Sequence, residues 1–233
     1  MNKMQENKNK DAEKLYIIIA GAVASGKTTL AKNLARAFGD CFYYDKDDLG
    51  ELSKAAFACG HRKYDRHGNY FKKRVRDPEY DASEKITLKG LWFSNHVIQN
   101  APYTGEIGEE MKGGESKRLH DLQDAVHKRS AKMLIVFVHC DRKTVKEHLI
   151  KRGKEDPFAY ERDRYIYKDL DAFLDTQNLF APGPDSIKHT DALFAFDAKT
   201  PVESFRELME YLGLDSNSKY DPEIGKKLRQ MGN

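Results

Sequence analysis

Tyr16–Ala35 reads "YIIIAGAVASGKTTLAKNLA". A β-branched apolar run ends at a glycine, a small polar turn follows, and an amphipathic pattern opens directly after it. The run over 15–20 predicts a buried strand. Leu30, Leu34 and Phe38 fall near helical spacing, with Gly39 as a stop. Between strand and helix lies G-x-x-x-x-G-K-[ST], as Gly21, Gly26, Lys27 and Thr28. Glycines let backbone wind around phosphate oxygens where a Cβ would clash, and the amides that open a helix favour anions. In such a loop a lysine reaches the β- and γ-phosphates, and the Thr28 hydroxyl suits Mg²⁺. Ser25 and Thr29 can add phosphate contacts. The expected site for ATP or GTP with Mg²⁺ is therefore Gly21, Ala22, Ala24, Ser25, Gly26, Lys27, Thr28 and Thr29.

Outward from this stretch, apolar runs alternate with helical patterns. Strands are expected at "CFYYD", near Val97–Ala101, at "KMLIVFVHC" and at "DALFAFD". Helices are expected at "ELSKAAFA", within "ASEKITLKGLW", at "ESKRLHDLQDAVHKRSA", at "RKTVKEHLIKRG" with Gly153 as its stop, and at "PVESFRELMEYLGL". One long amphipathic helix is expected within "DPFAYERDRYIYKDLDAFLDTQNLF", and Trp92 with Leu88, Leu91 and Phe93 is expected in the core. Strands alternating with helices imply a parallel sheet covered on both faces. The fold class expected is α/β, a P-loop NTPase fold with a five-stranded parallel sheet and a small lid. Residues 1–14 and 215–233 read as polar tails around one domain at 15–214. Residues 60–83 read as an irregular, substrate-facing insertion, and 152–178 as the lid region.

Composition limits what else the chain can be. Of 233 residues, 33% are charged and the net charge is only +3, too small for the overall balance to imply nucleic acid. Cys41, Cys59 and Cys140 are too few and too far apart for a disulfide framework or a zinc site, and the eight histidines show no metal spacing. The N-terminus lacks an apolar signal core, and no apolar run is long enough for a membrane span, so no membrane partner and a cytoplasmic location are expected.

The second strand ends in "YYDKDDL", with Asp45 and Asp47 two apart where strand becomes loop. Ligands of open α/β sheets bind beyond the carboxyl ends of strands, so these carboxylates face the same crevice as the loop at 21–28. Either can accept a proton from an attacking hydroxyl or hold Mg²⁺ through water; Asp47 or Asp48 can instead cap the next helix. The third strand ends in Asn100-Ala-Pro, where many such proteins carry an acid. That shifts the acidic duty to Asp45 and Asp47 or to Glu106, and leaves Asn100 and Tyr103 to touch substrate or to fill a turn. Arg152, Arg162 and Arg164 follow the fourth strand at a place where a lid can bring guanidinium groups onto a transferring phosphoryl. Arg152 can alternatively stack on a base.

The chain resembles the P-loop kinase-like "AAA domain" ATP-binding proteins of bacteria, near the zeta-toxin, gluconate-kinase and chloramphenicol-phosphotransferase group. The matching pieces are "GAVASGKTTLAKNLA", "YYDKDDL", "VRDPEYDASEKITLKGLWFSNHVIQNAPYTGEI", "VHCDRKTVKEHLIKRG" with "ERD", and "FDAKTPVESFRELMEYL", spanning about residues 15–213. The resemblance implies that Lys27 and Thr28 serve ATP and Mg²⁺, that Asp45 or Asp47 sits by the acceptor, that Arg152 and Arg162 belong to the lid, and that Asp197–Pro201 borders the adenine. The candidate catalytic set is thus Lys27, Asp45, Asp47, Arg152 and Arg162, and the candidate metal ligands are Thr28 and Asp47. Arg152 also stands among the nucleotide-binding candidates.

The acceptor is less legible. "HRKYDRHGNYFKKRVR" at 61–76 sets seven Lys and Arg residues against one acid, with aromatics interleaved. That suits a small anionic acceptor or a nucleic-acid strand, and equally a solvated loop. The mild overall charge favours the small acceptor over a polynucleotide. The expected function is transfer of the ATP γ-phosphoryl to a small hydroxyl acceptor. The alternatives are a nucleotide-dependent switch without acceptor turnover and a kinase of polynucleotide 5′-hydroxyls.

Overall fold

The structure, a computed structural model, describes residues 13–62, 64–66, 68–156, 160, 163–215 and 218–231. Of the tail expected at 1–14, only Glu13 and Lys14 fall among these, and Lys14 already belongs to a strand. Five parallel strands form the sheet: β1 (Lys14–Gly21), β2 (Phe42–Asp45), β3 (His96–Asn100), β4 (Ala131–His139) and β5 (Ala192–Asp197), in the order β2-β3-β1-β4-β5. The ten helices among the described residues are α1 (Lys27–Phe38), α2 (Gly50–Cys59), α3 (Arg76–Gly90), α4 (Thr104–Met111), α5 (Lys117–His127), α6 (Arg142–Glu155), α7 (Arg164–Lys168), α8 (Leu170–Asp175), α9 (Pro201–Tyr211) and α10 (Ile224–Met231).

β1 is central, so both of its faces are buried and its sequence is continuously apolar. Alternate side chains serve two cores. Tyr16, Ile18 and Ala20 pack with Val97, Met133, Ile135 and Phe137 beneath α3, α4 and α5. Ile17 and Ile19 pack with Ile98, Leu134 and Val136 against Leu30 and Leu34 of α1 and Phe205 and Leu208 of α9. This is the P-loop NTPase architecture expected from the alternation. The three cysteines are free, and no described helix is long and apolar enough to cross a membrane.

Several local expectations change. The insertion expected at 60–83 is largely helical from residue 69 onward, with a wide π-helical turn over Phe71–Val75 running into α3. Phe71, Val75, Glu79, Tyr80, Ser83 and Thr87 recur on one buried face, while Lys72, Lys73 and Arg74 are exposed. Pro78 has no amide to bond back to Arg74, and the widened turn lies just upstream of it. Gly153 does not stop α6. The helix continues to Glu155, and the glycine admits the Tyr167 ring, which a Cβ would meet at 2.9 Å. The long helix expected after Pro157 falls partly on 157–159 and 161–162, outside the described residues; from residue 163 it is α7 and α8, broken at Asp169, whose side chain caps α8 by accepting from the Ala172 amide at 3.0 Å.

Helix α4 was missed because its glycines and its left-handed entry at Tyr103 (φ 46°) mask the pattern. Trp92 and Phe93 are 63% and 85% exposed, so only Leu91 of that turn is core. The polar stretch after 215 is docked rather than loose: Ile224 is buried, and Tyr220 packs beside Phe196 and Phe205.

Candidate functional site

The sheet order puts β1 between β3 and β4, and the loop between β1 and α1 opens at that junction, over the carboxyl ends of the strands. Gly21, at φ 133°, is pressed so closely to β4 that a Cβ would overlap the carbonyl oxygen of Val138. Gly26, at φ 100°, turns the chain into α1. The Ser25 hydroxyl is buried and has no hydrogen-bond partner among the described residues. Lys27 folds back, its Nζ donating to the Ala22 carbonyl at 2.5 Å. Burial pulls its ammonium down to about 8, against the pull of Asp47 and Asp45.

Asp45 is the hub of the next shell. Its Oδ2 accepts from the Asn100 Nδ2 at 2.6 Å, from the Tyr43 hydroxyl at 3.3 Å and from the Thr28 hydroxyl at 3.5 Å. Asn100 also donates to the Thr28 Oγ1 at 2.8 Å, so one amide joins the ends of β2, β3 and the start of α1. The other Asp45 oxygen accepts from the Asp47 amide at 3.0 Å. Asp45 thus caps the turn at Lys46–Leu49, and α2 starts after Leu49 with no side-chain cap, so neither Asp47 nor Asp48 takes the alternative capping role.

Asp47, expected beside Thr28 as a metal ligand, directs its carboxylate to Arg66 at 3.3 Å. The oxygen that lies near Thr28 belongs to Asp45. Arg66 in turn reaches Glu79 at 3.1 Å, and Glu79 also binds the Lys46 Nζ at 2.7 Å and the Ser53 hydroxyl. Lys46 and Glu79 are almost wholly buried, and burial lowers the Lys46 ammonium despite its partner. The buried group holds the end of β2 against α3.

These elements line one cleft of about 1500 Å³. Towards β2 and β3 it is bounded by Asp45, Asp47, Arg66, Phe71, Lys72, Arg76 and Tyr80. Towards β4 and β5 it is bounded by Phe196, Ala198, Pro201, Tyr220 and Pro222. Across the top run His148, Lys151, Arg152, Asp163, Tyr165 and Phe173. The His148 Nδ1 donates to the Ala24 carbonyl at 3.0 Å, which ties α6 to the loop. Arg152 is ion-paired with Asp163. Arg164 is exposed and off the cleft wall, and Arg162 lies outside the described residues.

Of the described residues of the basic run, Arg66, Lys72 and Arg76 line the cleft, and Lys63 lies outside the described residues. Arg66 is paired as above, Arg76 binds Glu106 at 2.6 Å, and Arg62 stacks on Tyr70. Lys72 has no ion pair among the described residues. Glu106 binds Arg76 through Oε1, while its buried Oε2 has no hydrogen-bond partner among the described residues, and Tyr103 is fully buried, its hydroxyl 2.9 Å from Glu84 and 3.0 Å from Gln99. Neither of these two lines the cleft. Sequence reading missed Lys46, Glu79 and Asn33. A signal existed for Asn33, a polar residue between Leu30 and Leu34 on the apolar face of α1.

The residues fit a magnesium-bound nucleoside triphosphate. Glycines at both ends of the loop, an unpartnered buried hydroxyl, the Lys27 ammonium and the Thr28 hydroxyl match its phosphates and a hard cation that keeps several waters. No cluster of three His, Cys, Asp or Glu suited to a metal exists among the described residues, so phosphate oxygens would complete such a shell.

No protein-family model matches the chain, and no curated protein matches it either. Solved structures do. A protein from Chloroflexus aurantiacus J-10-fl, named only provisionally as a kinase, superposes with a TM-score of 0.59 at 16% identity, over 86% of this chain and 96% of that one. A sugar kinase from Janibacter sp. HTCC2649, unliganded, gives 0.51 at 15% identity, over 90% of this chain and 100% of that one. The chain has the P-loop kinase-like fold that the sequence resemblance implied.

Proposed function

We propose that the protein transfers the γ-phosphoryl group of ATP to a hydroxyl of a small molecule. The observation that carries this reading is the hydrogen-bonded set Thr28–Asn100–Asp45 beside the phosphate loop, at the end of the cleft remote from β5. A fold shared with a sugar kinase agrees with it.

In this reading the loop amides, Ser25 and Lys27 would grip the β- and γ-phosphates, and Thr28 would hold Mg²⁺, whose other positions phosphate oxygens and water would fill. The cation, when bound, neutralises charge on the phosphoryl oxygens. Asp45 accepts the proton of the attacking hydroxyl as the acceptor O–P bond forms and the bond to the bridging oxygen breaks, releasing ADP. Asn100 fixes the Asp45 carboxylate in line. Arg152 supplies positive charge to the equatorial oxygens once it exchanges Asp163 for phosphate. Asp47 orients Arg66 and is not the base.

The acceptor sits between Arg66, Lys72, Arg76 and Tyr80. Because Arg66 and Arg76 are already paired with carboxylates, this subsite suits a hydroxylated molecule of low negative charge, with Lys72 as the cation left for it. The same pairing argues against a polynucleotide, which needs unpaired cations along a track.

The test is ADP release from Mg²⁺-ATP with a panel of neutral and acidic polyols and a 5′-hydroxyl oligonucleotide, using Lys27→Ala as the blank. Stimulation by a polyol that disappears in the blank is expected. ATP binding with no stimulation across the panel would point instead to a nucleotide-dependent switch.

A further inference from the structure

The C-terminal segment returns to the cleft and is fastened there by one side chain. Asn33 lies in the middle of α1 and is fully buried, an unfavourable place for an asparagine. Every hydrogen-bonding position of its amide is used. Nδ2 donates to the Thr29 carbonyl and to the Asp221 carbonyl, each at 2.9 Å, and Oδ1 accepts from the Asp221 amide at 2.7 Å and from Arg36 at 3.0 Å. Arg36 adds a donation to the Lys219 carbonyl at 2.5 Å and lies 3.6 Å from the Asp221 carboxylate. A side chain reading both backbone groups of one residue fixes that residue's position and direction, and a complete buried network is costly to disrupt.

The fixed segment faces the β5 end of the cleft. Tyr220, just before Asp221, stacks at a tilt on Phe205 with ring centroids 5.5 Å apart and lies 6.5 Å from Phe196. Tyr220, Pro222 and Gly225 line the cleft beside Phe196, Ala198 and Pro201, while Asp45 and the acceptor-side cations lie towards β2 and β3, across the phosphate loop. A triphosphate held along that loop with its γ-group at Asp45 must send its other end towards β5. The surface there is aromatic and prolyl, which accepts a flat π-face, and Arg152, Tyr165 and Phe173 lie on the opposite wall.

We propose that the segment Tyr220–Gly225, clasped to α1 through Asn33, is the outer wall of a nucleobase subsite, so that residues beyond the last helix of the sheet domain bind the base of the nucleotide. This rests on the reading of the cleft as a nucleoside triphosphate site. Two variants test it in the full chain. Tyr220→Leu keeps apolar packing against Phe196 and Phe205 but removes the ring, and Asn33→Ala removes the clasp. Calorimetric titration with Mg²⁺-ATP and, separately, with Mg²⁺-tripolyphosphate distinguishes base from phosphate recognition. About tenfold weaker ATP binding in both variants is expected, with tripolyphosphate affinity within twofold of wild type, which also reports an intact loop. ATP affinity unchanged in both variants, or loss of both ligands in equal measure, overturns the wall alone. A wild-type protein that binds neither ligand overturns the nucleotide reading and the wall with it.

Discussion

Asp45 and Asn100 stand opposite each other in the parallel register of β2 and β3, and the Asn100 amide donates to the Asp45 carboxylate at 2.6 Å. The same amide donates to Thr28, so the positions of the proposed base and of the hydroxyl proposed to hold Mg²⁺ depend on one neutral side chain. A second carboxylate at this position would repel Asp45; asparagine holds it without competing for charge.

Asp45→Asn is expected to leave ATP affinity within about threefold and to lower kcat by about 10²-fold or more, the usual range for loss of a general base. Asn100→Ala is expected to lower kcat by about tenfold through misorientation, again with little effect on KM for ATP. Steady-state ADP release and ATP titration measure both. A kcat unchanged in Asp45→Asn would remove it as the base.

The half-buried Lys27 side chain gives a pH signature. Burial holds it at about 8, below its ordinary 10.5. Between those values the unfolded chain carries a proton that the folded chain has released, so this group's contribution to stability rises with pH across that window and is flat below it. Binding of polyphosphate favours the charged form and should raise the value again. At pH 8.5, ATP binding should therefore take up most of one proton, and at pH 7 far less; calorimetry in two buffers of different ionisation enthalpy counts it. Equal uptake at both values would contradict the assignment.

Gly21→Ala should be severely destabilising. The new Cβ overlaps backbone of β4, which cannot swing aside, and φ is 133°. A loss of about 3 kcal/mol or more is expected in urea unfolding. Near-wild-type stability would show that the loop can shift away from β4.

Glu79→Ala strands Lys46, which keeps only the face of the Tyr80 ring at 5.2 Å. Removing one partner of so buried a pair costs about 3–5 kcal/mol, whereas exchanging both for apolar groups costs much less. Urea unfolding should accordingly show Lys46→Met/Glu79→Leu to be more stable than Glu79→Ala. The reverse order would mean that Glu79 serves mainly Arg66 and Ser53.

The glycine-rich loop and the five strands were legible because each is encoded locally. A glycine-rich turn specifies its own dihedral angles, and an apolar run between turn residues specifies a buried strand wherever it pairs. The sequence by itself thus determined the fold class and the position of the cleft. Only the tertiary structure decided which carboxylate meets Thr28. Asp45 and Asp47 differ by two residues, and the choice follows from the register of β2 on β3 and from Arg66, which draws Asp47 away. How much of the basic run's charge is paired was hidden for a similar reason: Glu79 and Glu106 bind Arg66 and Arg76 from positions that no local spacing connects to them. The C-terminal segment was the least legible part, because its docking depends on Asn33 and Asp221, 188 residues apart. A hydrogen bond across that separation leaves no periodicity in the chain, and is formed only once the sheet has brought both ends to the same face of α1.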